Sequence, residues 1–268
     1  MLHPLWADPF WLALAAKMAL SAGIVVAASL AVERSGPLMG AMSATLPISA
    51  GPNYAFLAAE HGPAFIERST LSSLAVNAAT LVFILVYAAL AQRESTLASL
   101  GPAVAVWLAG AMLAARVEWS LSGVVLLNLA AFAATLPLGP RYARAAPAPV
   151  RAARRWWELP ARGATAAGLV AVVVLVGRVL GPSAAGVAAL VPMALISLIL
   201  VLHPRVGGPA TAAMVAHALP GMAGFALGIA ALHLGVVPFG AGAALGLALG
   251  VCVAWNLGLV ALHRANTS

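Results

Sequence analysis

Gly36-Pro37-Leu38-Met39-Gly40-Ala41-Met42-Ser43-Ala44-Thr45-Leu46-Pro47-Ile48-Ser49 is an apolar stretch opened by Gly-Pro and interrupted by a second proline ten residues on. The second half repeats the pattern as Gly181-Pro182-Ser183-Ala184-Ala185-Gly186-Val187-Ala188-Ala189-Leu190-Val191-Pro192, with Ser197 beyond it. A proline inside a helix lacks the backbone donor and clashes with the preceding turn. In hydrocarbon, the carbonyls it frees must find partners within the protein. Interrupted segments at matching places in two halves point to the binding site of a transporter.

The rest of the composition agrees with a membrane setting. The 268 residues are 63% hydrophobic and 8% charged, against about a quarter charged in soluble domains, and the mean hydropathy is +1.02. The apolar runs are continuous and near the roughly 20 residues of a spanning helix, not the alternating ten-residue segments of a barrel. Cys252 is the single cysteine, which excludes an internal disulfide and a cysteine-based metal site; no metal or other cofactor is expected. The first residues, Met1 to Pro9, lack the basic region of a signal peptide, so the first apolar stretch is expected to stay as a membrane helix.

The expected fold is an all-α polytopic bundle of about nine spans, near 11–32, 38–58, 68–91, 97–116, 119–138, 163–180, 184–203, 209–233 and 240–262. The net charge of +7 does not mark a nucleic-acid surface, because six of the fourteen Lys and Arg residues fall between Arg141 and Arg162. That stretch also carries Trp156 and Trp157 and suits anionic lipid headgroups, as a short interfacial helix around Arg151 to Glu158 or as a solvated loop. With it cytoplasmic, nine spans put the N-terminus outside and the C-terminus inside. Arg34, Arg93, the six loop arginines, Arg205 and Arg264 then lie inside, and Arg68, Arg116 and Arg178 outside. The opposite orientation reverses the positive-inside bias. Lys17, inside the first span, is expected to snorkel to the outer interface.

Pro37 aligns with Pro182, Gly62-Pro63 with Gly208-Pro209, and Trp107 and Arg116 with Trp255 and Arg264, at shifts of about 145 to 148 residues. The alignment divides the chain into an N-terminal repeat (1–116), a connecting span with the basic loop (117–162) and a C-terminal repeat (163–268). Four spans per repeat and one connecting span make the two repeats inverted. If the broken segments are re-entrant instead, the repeats become parallel.

The first broken segment is the more polar. Ser43, Thr45, Ser49, Asn53 and Tyr54 surround Pro47 and Pro52, and a half-helix opening near Pro52 would aim its backbone donors at the membrane middle. With Ser197 near Pro192, these residues either line a site for a small polar or anionic solute or satisfy a kinked helix. Glu60-His61 and the intramembrane His217 are candidates for proton relay, against an exposed loop pair and a packed neutral histidine. Asn77, Asn128 and Asn256 are expected to bond between helices. Gly240, Gly242, Gly246 and Gly250 read as close helix packing, internal or between subunits of a homo-oligomer. A nucleotide-binding loop, HExxH, GxSxG and a carboxylate pair within a span are all missing from the sequence, which therefore supports no enzyme.

The runs Gly36-Pro37-Leu38-Met39-Gly40, Thr45-Leu46-Pro47-Ile48-Ser49-Ala50-Gly51-Pro52 and Phe56-Leu57-Ala58-Ala59-Glu60-His61-Gly62 resemble the motif of a group of uncharacterised bacterial integral membrane proteins. The resemblance covers about 30 residues of the N-terminal half. It implies a bacterial cytoplasmic-membrane protein and carries no activity. The expected function is a secondary-type permease for a small solute, or else a non-transporting scaffold or assembly factor.

Overall fold

The computed structural model describes residues 9–34, 50–143 and 157–265. The described residues form eleven helices and no strand: α1 (Pro9–Arg34), α2 (Ala50–Glu60), α3 (Pro63–Leu90), α4 (Thr96–Arg116), α5 (Leu121–Thr135), α6 (Gly139–Ala143), α7 (Glu158–Leu180), α8 (Pro182–Ala189), α9 (Met193–Val206), α10 (Gly208–Ala216) and α11 (Leu219–Ala265). Gly-Pro pairs open α3, α8 and α10, with proline in the first turn, where the missing donor costs nothing. Gly181 and Gly207, just before α8 and α10, have φ of +85°, a conformation that favours glycine.

Among the described residues, six segments are long and apolar enough to cross a membrane: Phe10–Ala27, Pro63–Leu90, Thr96–Arg116, Glu158–Leu180, Pro182–Val206 and Gly208–Leu262. The described residues are thus all-helical, as in a multi-pass membrane protein. Leu12, Leu126, Val179 and Leu262 are each more than 60% exposed, as suits side chains that meet lipid. Three differences separate these six segments from the nine spans expected. The 38–58 segment lies largely outside the described residues, and its remainder, α2, has 11 residues. Helix α5 has 15, short of the hydrocarbon thickness. The expected spans 209–233 and 240–262 belong to one 55-residue apolar segment.

That last segment doubles back. A straight helix would separate Pro220 from Trp255 by about 50 Å, yet the Trp255 indole N–H donates to the Pro220 carbonyl at 2.9 Å. The Cys252 thiol likewise meets the Gly224 carbonyl at 3.4 Å. The reversal is at Gly240, whose φ of 78° and ψ of 163° are non-helical. Helices α3 and α4 form a second antiparallel pair, in which Trp107 donates to the Thr80 hydroxyl at 3.1 Å.

Helix α3 is the hub, packing against α4, α5, α8 and α11. Its buried polar residues Ser69, Ser73, Asn77 and Thr80 recur at helical spacing on one face. Asn77 donates to Asn128 of α5 at 2.8 Å, and Asn128 donates to the Leu74 carbonyl at 2.8 Å. Asn256 instead donates to Cys252 O, one turn back on its own helix, at 2.9 Å.

Helices α1 and α7 pack antiparallel: Arg178 lies over the Phe10 ring at 4.2 Å, while Gly163 faces Ala22 and Val26. At the Phe10 end, Lys17 forms an ion pair with Glu60, so its ammonium is held by α2 and does not simply snorkel to the interface. At the opposite end, Arg205 pairs with Glu158 at 2.5 Å and the Tyr87 hydroxyl meets His203 Nδ1 at 2.9 Å. Helix α7 begins at Glu158, five residues before the expected span. Residues 144–156 of the basic loop, with four of its arginines, lie outside the described residues.

Candidate functional site

Of the site residues expected from sequence, Ser43, Thr45, Pro47 and Ser49 lie outside the described residues. Asn53, Tyr54 and Pro52 sit in the first turns of α2, which starts at Ala50. Pro192 and Ser197 sit at and beyond the break between α8 and α9.

The second break follows from covalent structure. Ala189 ends α8, and its carbonyl would be bonded by residue 193 in a continuing helix. Met193 N–H goes instead to Val191 O at 2.7 Å, and Pro192, one residue earlier, has no N–H to give. The freed Ala189 carbonyl is met by the Asn53 amide, with Nδ2 at 3.5 Å. The two interrupted segments thus touch across 136 positions of sequence.

The adjacent residue makes a second link. The Tyr54 hydroxyl meets the Ser73 hydroxyl, and Ser73 donates to the Gly186 carbonyl at 2.7 Å. Helices α2, α3 and α8 are therefore joined by side chains at two carbonyls in the last turn of α8. The approach is close because Gly186 has no side chain: a Cβ there would stand 2.0 Å from the Ser69 carbonyl oxygen. Asn53 is 1% and Tyr54 3% exposed. Asn53 Oδ1 has no hydrogen-bond partner, at a depth where an unpaired polar group is costly.

Beside this cluster lies a cavity of about 460 Å³, walled by Ala50, Pro52, Tyr54, Phe225, Leu232, Leu249 and Cys252 among others. The two lining side chains that carry a heteroatom are bonded within the protein, the Tyr54 hydroxyl to Ser73 and the Cys252 thiol to Gly224 O. The wall is consequently apolar in character.

The remaining expected residues do not converge on the break. Glu60 is held by Lys17. His61 stacks on Phe65, with ring centroids 3.8 Å apart, and its Nε2 is buried without a partner. His217 is bonded through Nδ1 to Ala213 O of its own helix at 2.7 Å. Ser197 donates to Ala194 O, also within its helix, at 3.0 Å. Among the described residues, no group of three His, Cys, Asp or Glu could hold a metal ion.

Sequence reasoning missed Ser73, Lys17 as the partner of Glu60, His203 beside Tyr87, and His233. The last meets Thr70 Oγ1 through Nδ1 at 3.0 Å. A signal for Ser73 was present: Ser69, Ser73 and Asn77 stand four apart within a span. The partners of the two histidines had none, since they lie more than a hundred positions away.

Comparison of the chain with protein families, with curated proteins and with solved structures finds no match.

Proposed function

We propose that this chain is a secondary-type permease for a small solute, with its site where the two interrupted segments meet. The observation that carries the reading is the contact of Asn53, in the first segment, with the carbonyl freed at the break of the second. A continuous helix has no spare carbonyl to offer, and irregular backbone at membrane depth persists where it is enclosed by protein or lines a cavity. Tyr54 belongs both to the polar cluster and to the wall of the adjoining cavity. A solute with a small polar or anionic end and an apolar body matches both surfaces.

The nine-span, inverted-repeat organisation belongs to the same proposal. Segment α8–α9 starts at the end marked by Arg178 and finishes at the end marked by Arg205. Helix α2 finishes at Glu60, beside Lys17 near the Phe10 and Arg178 end, so this described part of the first interrupted segment runs opposite to α8–α9. Each half closes with an antiparallel helix pair carrying a tryptophan, Trp107 or Trp255, whose indole bonds to its partner helix. Opposed entry of two broken segments suits alternating access about a central site. With the 141–162 loop and Arg205 in the cytoplasm, the N-terminus is external, the membrane is the bacterial inner membrane, and the loop faces anionic lipid.

The apolar cavity wall favours a second reading, a non-transporting scaffold or assembly factor. Thermal unfolding of the purified protein across a metabolite panel separates the two. A solute that raises the melting temperature, and fails to do so in Asn53→Ala, supports the permease. A solute that stabilises wild type and Asn53→Ala alike removes Asn53 from the site, and an empty panel favours the scaffold.

A further inference from the structure

We propose that Asn53 and the Ala189 carbonyl are two ligands of a binding site for a monovalent cation of sodium size. Its role as the coupling ion rests on the permease reading; the binding itself does not.

Three observations converge on the site. The last turn of α8 presents the negative end of its dipole, and Ala189 O there has lost both of its helical donors, one to the Pro192 ring and one to Val191 O. Among the described residues this oxygen is met by the Asn53 amide, at 3.5 Å, long for an amide-to-carbonyl bond. At 1% exposure, Asn53 Oδ1 has no partner of any kind.

A carboxamide is nearly symmetric in shape, so a half-turn exchanges its oxygen and nitrogen at little steric cost. With Asn53 turned, two carbonyl oxygens face each other about 3.5 Å apart. That spacing is unfavourable in an empty site and suits a shared cation. Oxygens held about 2.4 Å from an ion in octahedral array stand about 3.4 Å apart along an edge, and Na⁺ has nearly the radius of the Ca²⁺ that sets this distance.

Charge selects the class of ion. Solvation cost rises with the square of the charge, and Asn53, Tyr54, Ser73, Gly186 and Ala189 supply only neutral oxygens. Two carboxylates lie nearest in sequence, each six residues from a member of this cluster: Glu60, which is engaged by Lys17, and Glu67 on α3. Such a cluster suits a monovalent ion and disfavours a divalent one. The ligand set also crosses the interface between the two interrupted segments, so an ion bound there would clamp α2 to α8.

The test is ion-specific stabilisation of the full-length protein in detergent, in NaCl, KCl or choline chloride at constant ionic strength. Sodium is expected to raise the melting temperature saturably, by roughly 5 °C at a hundredfold excess over Kd, with choline inert. Asn53→Leu is expected to abolish the shift; a shift retained in a folded Asn53→Leu protein overturns the site. Where Asn53→Leu fails to fold, Asn53→Ala replaces it. Wild-type protein gives a separate readout through ²²Na⁺ binding, expected at one ion per chain and displaced by unlabelled Na⁺. Equal melting in all three salts with no ²²Na⁺ retained overturns the proposal and assigns a water or a plain cross-brace to Asn53. Repeating the metabolite panel in choline keeps the two readings apart. A solute shift that persists without sodium refutes coupling and leaves the permease standing, whereas sodium binding with an empty panel supports the ion site and favours the scaffold over the permease.

Discussion

The Gly186 Cα faces the Ser69 carbonyl so closely that an added Cβ would stand 2.0 Å from its oxygen. This contact sets the distance between α3 and α8, and hence the reach of Ser73 to Gly186 O. Gly186→Ala is expected to lower the melting temperature by several degrees or to prevent folding, since rigid backbone blocks the new methyl. Gly168→Ala, at a helical glycine whose Cβ would meet nothing within 4 Å, is expected to be neutral or slightly stabilising. Thermal unfolding of both in detergent checks the pair. Equal melting temperatures would show that α3 and α8 do not pack this closely.

Asn128 accepts from Asn77 and donates to Leu74 O and Val124 O at 2.8 Å each. Asn128→Ala is expected to cost about 1–2 kcal/mol, and the coupling of Asn77 and Asn128 in a double-mutant cycle to be about 0.6–1.7 kcal/mol. Additive effects in the cycle would contradict the bond.

The Lys17–Glu60 pair is partly shielded, with side chains 15% and 22% exposed. Lys17→Met leaves the carboxylate without its cation and is expected to cost about 1 kcal/mol; Lys17→Glu with Glu60→Lys is expected to recover most of it. Cysteines at both positions are expected to cross-link under mild oxidation. Absence of a cross-link would place α1 and α2 apart.

Gly240 reverses α11 with a φ of 78° and empty space where a Cβ would be. Gly240→Ala therefore carries a backbone penalty with no clash, expected at about 1–2 kcal/mol. Gly240→Asn is expected to cost less, because asparagine tolerates this conformation better. Stability equal to wild type in Gly240→Val would contradict the turn.

For orientation, an N-terminal tag is expected to be reached by antibody in intact cells and a C-terminal tag only after permeabilisation. Cysteines introduced at Arg144 or Arg151 are expected to resist an impermeant thiol reagent from outside. The reverse pattern would invert the topology.

Much of the polar architecture was readable in part. Asn53 and Tyr54 stand out because polar side chains beside two prolines are rare in a span. The pairing of Asn77 with Asn128 was anticipated as a class of interaction and not as a pair. The partner of Asn53 was hidden, because Ala189 contributes only a carbonyl that every residue possesses. The reversal at Gly240 was legible as a boundary between two spans, since a 55-residue apolar stretch is too long for one crossing. His203 and His233 carried no local signal; their partners Tyr87 and Thr70 are brought to them by packing alone.

The sequence by itself determined the apolar setting, the all-helical class of the described residues and the break at Pro192. Those follow from hydropathy, from helix length against bilayer thickness, and from the covalent limits of proline. Only the tertiary structure decided which freed carbonyl meets which side chain, that Glu60 answers to Lys17 and not His61, and that the cavity beside the break is walled by apolar groups. Such outcomes depend on contacts between residues a hundred or more positions apart. Their energies are set by depth and distance, which a linear pattern does not contain.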